Sequence, residues 1–213
     1  MEFPINQDYF ILKEGDERVK YRVYYYDTET HADRELQRSI LNDIEKGKRP
    51  KTEEAGIWLA CTINAESTPE NDVYDTSMAQ VLKRWENMAE YENCLIYCFN
   101  LSFEWSYLRP YIYKIMRQVD GELTENSFSI VSNVSQSVVY QIKMRFNGKV
   151  IKIVDLHRLI TGASLGKLAK ELKLDVQKGN LDKDEGGVDS YDKMRRLPNY
   201  RPTNNEKVYC FRD

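Results

Sequence analysis

The chain has 213 residues, with 31 lysines and arginines against 34 aspartates and glutamates, a formal charge of −3, and 41% hydrophobic residues. That length and balance fit a single domain with enough apolar mass for a true core. No stretch approaches the roughly 18 consecutive apolar residues of a membrane-spanning helix, and MEFPINQDYF lacks the basic and apolar regions of a secretory leader. A near-neutral charge argues against coating nucleic acid by bulk electrostatics, but not against holding metal ions in an acidic pocket. The four cysteines, Cys61, Cys94, Cys98 and Cys210, are too few and scattered for a disulfide framework. They read as core thiols of a cytoplasmic protein.

Residues 1–18 read as a polar arm or edge element. VKYRVYYYD, Val19 to Asp27, is the first strand, rich in β-formers and free of Gly and Pro. Ala32 to Glu45 has helical period through Leu36, Ile40, Leu41 and Ile44, and 46–56 is a charged loop. Ile57 to Asn64 and the short Val73-Tyr74 are strands, followed by an amphipathic helix from Met78 to Tyr91. CLIYCF, Cys94 to Phe99, is a continuous apolar run and predicts a strand buried on both faces. A helix follows from near Phe103 to about Gln118. Phe128 to Val134, Val138 to Phe146 and Lys149 to Val154 read as strands, the last two joined by the hairpin signal Asn147-Gly148. Ser164 to Leu172 is a short basic helix, and 175–202 is an irregular, charge-rich loop region. Thr203-Asn-Asn-Glu206 is a capping-box pattern that opens a last helix. This alternation predicts an α/β fold, a mixed β-sheet flanked by helices.

Acidic residues stand where chemistry would want them. Asp27 and Glu29 lie two apart at a strand end, so they share one sheet face, although a solvated strand end would look the same. Glu104 follows the buried strand directly, and active-site groups of α/β sheets gather at such carboxyl ends. Phe103 beside it suits either the core or stacking on an unpaired base. Tyr209 and Asp213, four apart, share a helix face. There the Asp could ligate a metal while the tyrosine hydroxyl orients a water. Taken together, Asp27, Glu29, Glu104 and Asp213 offer the hard oxygen ligands that suit two Mg²⁺ or Mn²⁺ ions in phosphodiester hydrolysis. No nucleophile–histidine pattern, P-loop or dinucleotide fingerprint competes with this reading.

YDTET at 26–30, FNLSFE at 99–104 and YCFRD at 209–213 resemble the three exonuclease motifs of DNA polymerases. Their order resembles the 3′–5′ proofreading domain of the DEDD superfamily, tyrosine subclass, in particular that of protein-primed family B DNA polymerases of bacteriophages and organellar plasmids. VDLHRL at 154–159, SLGKLAK at 164–170 and LDVQKGNLD at 174–182 extend the likeness. The resemblance implies an RNase H-like fold, with Asp27, Glu29, Glu104 and Asp213 as metal ligands and Tyr209 positioning the attacking water. It also implies that Asn100 and Phe103 hold the single-stranded 3′ end and that Lys178 sits near the scissile phosphate. Val208 stands where the other subclass carries histidine.

Two positions depart from the family pattern. Glu104 replaces the usual Asp, keeping the charge but adding a methylene, and a misplacement of about 1 Å can cost about 10²-fold in rate. The family's single-strand-binding Ser-Leu pair falls at Leu156-His157, where His157 could substitute by stacking. Lys167, Lys170, Lys173 and the Lys193–Arg196 stretch offer phosphate contacts or a merely solvated surface. The expectation is a single exonuclease domain over 1–213, monomeric, without a membrane partner and without its polymerase domain. Because the chain stops on Asp213, it is expected to act weakly compared with a longer one. Two other readings stay open: a degenerate DNA-binding or scaffold module of a polymerase, and an RNA-directed exonuclease.

Overall fold

The computed structural model describes residues 8–30, 57–71, 73–158, 164–171, 173 and 201–212. The helix expected at 32–45, the loop 46–56 and residues 175–200 lie outside the described residues. Strands β1 (Tyr9–Glu14) and β2 (Glu17–Thr30) are joined by a tight turn in which Gly15 takes φ 61°, a conformation that costs glycine little. Then come β3 (Ile57–Ile63), β4 (Tyr74–Asp75), helix α1 (Met78–Met88), β5 (Cys94–Cys98) and helix α2 (Leu101–Ile115). Strands β6 (Arg117–Gln118), β7 (Ser127–Asn133), β8 (Val138–Phe146) and β9 (Lys149–Asp155) follow, then α3 (Leu165–Glu171) and α4 (Asn204–Arg212).

The nine strands among the described residues form one mixed sheet in the order β4-β3-β2-β5-β9-β8-β7-β6, with β1 pairing antiparallel to the first half of β2. The apolar run of β5 sits where the sequence put it, buried and paired in parallel to β2 on one side and β9 on the other. This is the α/β, RNase H-like arrangement that the resemblance implied. Asn147 and Gly148 have φ of 50° and 74° between β8 and β9, the two-residue turn that Asn-Gly predicts. The helices end earlier than expected. After α1, Glu90 and Tyr91 bond only to carbonyls three residues back, a tightened turn that closes the helix. Met116 is extended at φ −131° and leads the chain from α2 into β6 instead of onward to Gln118.

Ser77 caps α1 by accepting the Gln80 N–H at 3.3 Å. Its buried face, Met78, Val81, Leu82 and Trp85, lies on the sheet together with Leu101, Leu108 and Ile112 of α2. Trp85 is fully buried, meets Tyr26 edge-on at 4.9 Å, and donates its indole N–H to the Thr62 hydroxyl at 3.1 Å. Elsewhere the tip of the β1–β2 hairpin is tied to distant strands: Glu14 bridges Lys143 of β8 at 2.6 Å and Lys152 of β9 at 3.1 Å. Burial would raise the Glu14 carboxyl, but these two ammonium groups outweigh it and hold it below its ordinary range. No helix among the described residues is long and apolar enough to cross a membrane.

Trp85 gives a direct test of this packing. Trp85→Ala is expected to lower unfolding free energy by about 3–5 kcal/mol. Trp85→Phe keeps most of the volume but leaves the Thr62 hydroxyl without its donor, so it should cost about 1–3 kcal/mol. Urea titration of both variants reads the two values.

Candidate active site

Alternation along β2 divides its last turns between the two sheet faces. Tyr26 and Thr28 are buried on the face that carries α1 and α2, while Asp27 and Glu29 point to the other and are only half-buried. Opposite Asp27 on β3 stands Cys61. Helix α4 closes over this place. Its start is the capping box read from the sequence: the Glu206 carboxylate accepts the Thr203 N–H at 2.8 Å, and the Thr203 hydroxyl accepts the Glu206 N–H at 3.3 Å.

One turn further on, Cys210 descends onto β3 and packs with Trp58, Leu59 and Cys61. The Cys61 thiol donates to the Cys210 carbonyl at 3.1 Å, and the two sulfurs stand 3.5 Å apart. The ligand atoms of Asp27, Glu29 and Cys210 all lie within 4.8 Å of one another. The bond to Cys61, burial and the surrounding negative charge hold the Cys210 thiol well above its ordinary range, so it stays a neutral S–H. All four cysteines are buried and free, as core thiols should be.

The third acidic segment arrives from β5. Helix α2 starts at Leu101, two residues before the expected position, because Asn100 turns the chain in a left-handed conformation at φ 66°, ψ 59°. Its N–H donates to Oδ1 of Asp155 at 3.0 Å, and its carbonyl accepts the Phe103 N–H at 2.9 Å. Glu104 follows in the first helical turn, 2% exposed, and accepts the Thr28 hydroxyl at 2.5 Å. Burial above all, then the charges of Asp27 and Glu29, push the Glu104 carboxyl well above the usual range against the opposing Thr28 bond. Glu104 therefore feels both acids but is not one of the tight group that contains them.

Around this lie the residues expected to meet a nucleic acid. Phe103 is 43% exposed and leans on Tyr107 with ring centroids 5.3 Å apart. Asn100 is exposed, and its side chain makes no capping bond. His157 sits edge-on against Phe99 at 5.0 Å, so one side of its ring is already occupied. Tyr209 is half-buried on α4 next to Cys210, with Val208 before it. Lys167 pairs with Glu171 at 3.7 Å, while Lys170 and Lys173 are exposed. Lys178, the Lys193–Arg196 stretch and Asp213 lie outside the described residues. A cavity of about 80 Å³ beside Asp27 is lined by Tyr97, Phe99, Leu156, Cys210 and Phe211. A larger groove of about 820 Å³ runs along α1, but its charges are spent on each other, as in the Arg84–Asp75 pair at 2.7 Å and Arg22–Glu92 at 3.2 Å.

The donors suit a hard divalent cation. Asp27 and Glu29 converge as carboxylates, and burial and their charge push a third carboxyl close by well above its ordinary range, an electrostatic load that a cation would relieve. Three contributors escaped the sequence reading. Thr28 sits between the two acids, and strand alternation alone sends it to the opposite face. Cys210 reads as a core thiol, which it is, yet it backs the acidic pair. Asp155 ends β9 inside the segment VDLHRL, where the sequence gives it no role of its own.

No protein-family model matches the chain, and no curated protein does. Solved structures do. Phi29 DNA polymerase complexed with primer-template DNA has a TM-score of 0.64 at 19% identity, covering 90% of this chain and 29% of that one. Phi29 DNA polymerase complexed with single-stranded DNA has a TM-score of 0.61 at 20% identity, covering 89% and 29%. The orthorhombic crystal form of the same polymerase gives 0.62 at 20%, covering 90% and 28%. The chain spans less than a third of the polymerase chains it matches, and what it shares with that part of phi29 DNA polymerase is the fold.

Proposed function

We propose that the chain is a 3′–5′ exonuclease domain that removes nucleotides from the 3′ end of single-stranded DNA, the proofreading part of a family B type DNA polymerase. The observation that carries this reading is the convergence of Asp27 and Glu29 at the carboxyl end of β2, beside the helical turn that bears Glu104. The fold shared with phi29 DNA polymerase, solved with single-stranded and with primer-template DNA, supports it. Asp27, Glu29, Glu104 and Asp213 would hold two Mg²⁺ or Mn²⁺ ions. When bound, such ions supply charge neutralisation and Lewis-acid activation of the scissile phosphodiester.

The chain's own groups do the rest. Tyr209 orients the attacking water from α4, and Lys178 offsets phosphate charge. Asn100, Phe103 and His157 grip the unpaired end, where the exposed Phe103 ring offers a stacking face worth about 1–3 kcal/mol per base. A second reading, a catalytically weakened DNA-binding module, is favoured by one observation: the buried Glu104 carboxyl is already engaged by the Thr28 hydroxyl.

With a 5′-labelled single-stranded oligonucleotide and Mn²⁺, the products should shorten from the 3′ end, and a chelator should stop the reaction. Asp27→Ala should lose more than about 100-fold in rate, since even outer-shell partners of metal ligands cost 10–100-fold. Metal-dependent DNA binding without trimming would instead select the weakened module. Glu104 supplies a pH test in the metal-free protein. Its folded carboxyl titrates above its unfolded value, so the unfolded state releases its proton first and stability falls as pH rises between the two. Glu104→Gln removes that loss. In chelator, the melting temperature of Glu104→Gln should match wild type below the ordinary carboxylate range and exceed it increasingly as pH rises above that range.

A further inference from the structure

Asp155 is 2% exposed at the end of β9, opposite Cys98 in the parallel pairing with β5. Its Oδ1 accepts two backbone N–H groups, that of Asn100 at 3.0 Å and that of His157 at 3.0 Å. These amides belong to different elements. One is the left-handed residue that opens α2, and the other lies in the short 3₁₀ turn Leu156–Arg158. One carboxylate oxygen thus joins the ends of β5 and β9.

We propose that Asp155 is the positioning residue for the seat of the single-stranded 3′ end, an inference that rests on the exonuclease reading above. A carboxylate accepting backbone N–H groups makes charge-assisted bonds, stronger than neutral ones. Here they fix two conformations that the local sequence does not enforce. Asn100 is a non-glycine residue in the left-handed region, and its side chain supplies no capping bond of its own. His157 has its ring held only edge-on by Phe99. Loss of the Asp155 carboxylate removes the shared acceptor of both part-buried amides and frees the two residues together. Glu104 is less affected, because the Thr28 hydroxyl anchors it independently on β2. The defect should therefore fall on engagement of the DNA end more than on the chemical step.

The test compares wild type, Asp155→Ala and Asp155→Asn in trimming of a single-stranded oligonucleotide with Mn²⁺. Asp155→Ala is expected to raise KM about tenfold, the equivalent of losing one charged hydrogen bond, with a smaller fall in kcat. Asp155→Asn keeps an acceptor oxygen and should recover most of the loss. Hydrogen exchange gives a second readout: the Asn100 and His157 amides should lose protection in the Ala variant and keep it in the Asn variant. If Asp155→Ala does not fold, Asp155→Ser, whose hydroxyl is too short to serve both amides, carries the same expectations. An unchanged KM, or equal impairment in the Ala and Asn variants, overturns the proposal. A wild-type chain that neither binds nor trims the oligonucleotide overturns the exonuclease reading itself, and with it any role for Asp155 toward DNA.

Discussion

Parallel pairing on both sides of β5 sets the level at which the whole site stands. Cys98 is aligned with Tyr26 on one neighbour and with Asp155 on the other. The next residues outward are therefore Asp27 on β2, Phe99 and Asn100 after β5, and Leu156 and His157 after β9. Each comes from a distant part of the sequence, and none could be moved alone. A slip of one residue between β5 and β2 would exchange the sheet faces and carry Asp27 and Glu29 away from α4. Burial of β5 on both faces makes such a slip costly, since it would drive Tyr97 into the place of Ile96 or Cys98. The buried strand fixes where the acidic cluster stands.

Around that level, opposing electrostatic demands are divided between the two sides of the sheet. Asp27 and Glu29 remain partly open on the α4 side, where water or cations can reach them. Glu104 is buried on the α2 side, where a third charge would be expensive. The Thr28 hydroxyl satisfies one of its oxygens but does not offset desolvation. Among the described residues the Cys210 thiol is grouped with these two acids, and its bond to Cys61 holds it well above its ordinary range. Two carboxylates thus converge on one side of the strand end, while the third, Glu104, lies buried against the Thr28 hydroxyl.

Much of this was legible in the sequence, for identifiable reasons. CLIYCF could be read as a buried strand because nothing polar interrupts it, and Asn147-Gly148 as a hairpin because both residues tolerate positive φ. The box formed by Thr203 and Glu206 is local, so four consecutive residues suffice to see it. Asp27 and Glu29 were visible as a pair because strand geometry alone puts them on one face. What stayed hidden depends on separation. The bonds from Asp155 to Asn100 and from Thr28 to Glu104 join residues 55 and 76 positions apart, and no periodicity encodes them. The true start of α2 was hidden for the same cause, because the turn at Asn100 is stabilised from β9. Strand β1 was read only as an arm or edge element because its burial is slight and its pairing to β2 lies outside the main path.

The paired sulfurs beneath α4 carry a further consequence. Cys61 and Cys210 are 2% and 1% exposed, so a thiol reagent reaches neither until the helix lifts from the sheet. Their alkylation rate is then a clock for that local opening, measured without perturbing a single contact in the closed state. A ligand that bridges α4 to the acids of β2 must slow the clock by the free energy with which it holds the helix down. The protein carries its own gauge of how often its site comes apart.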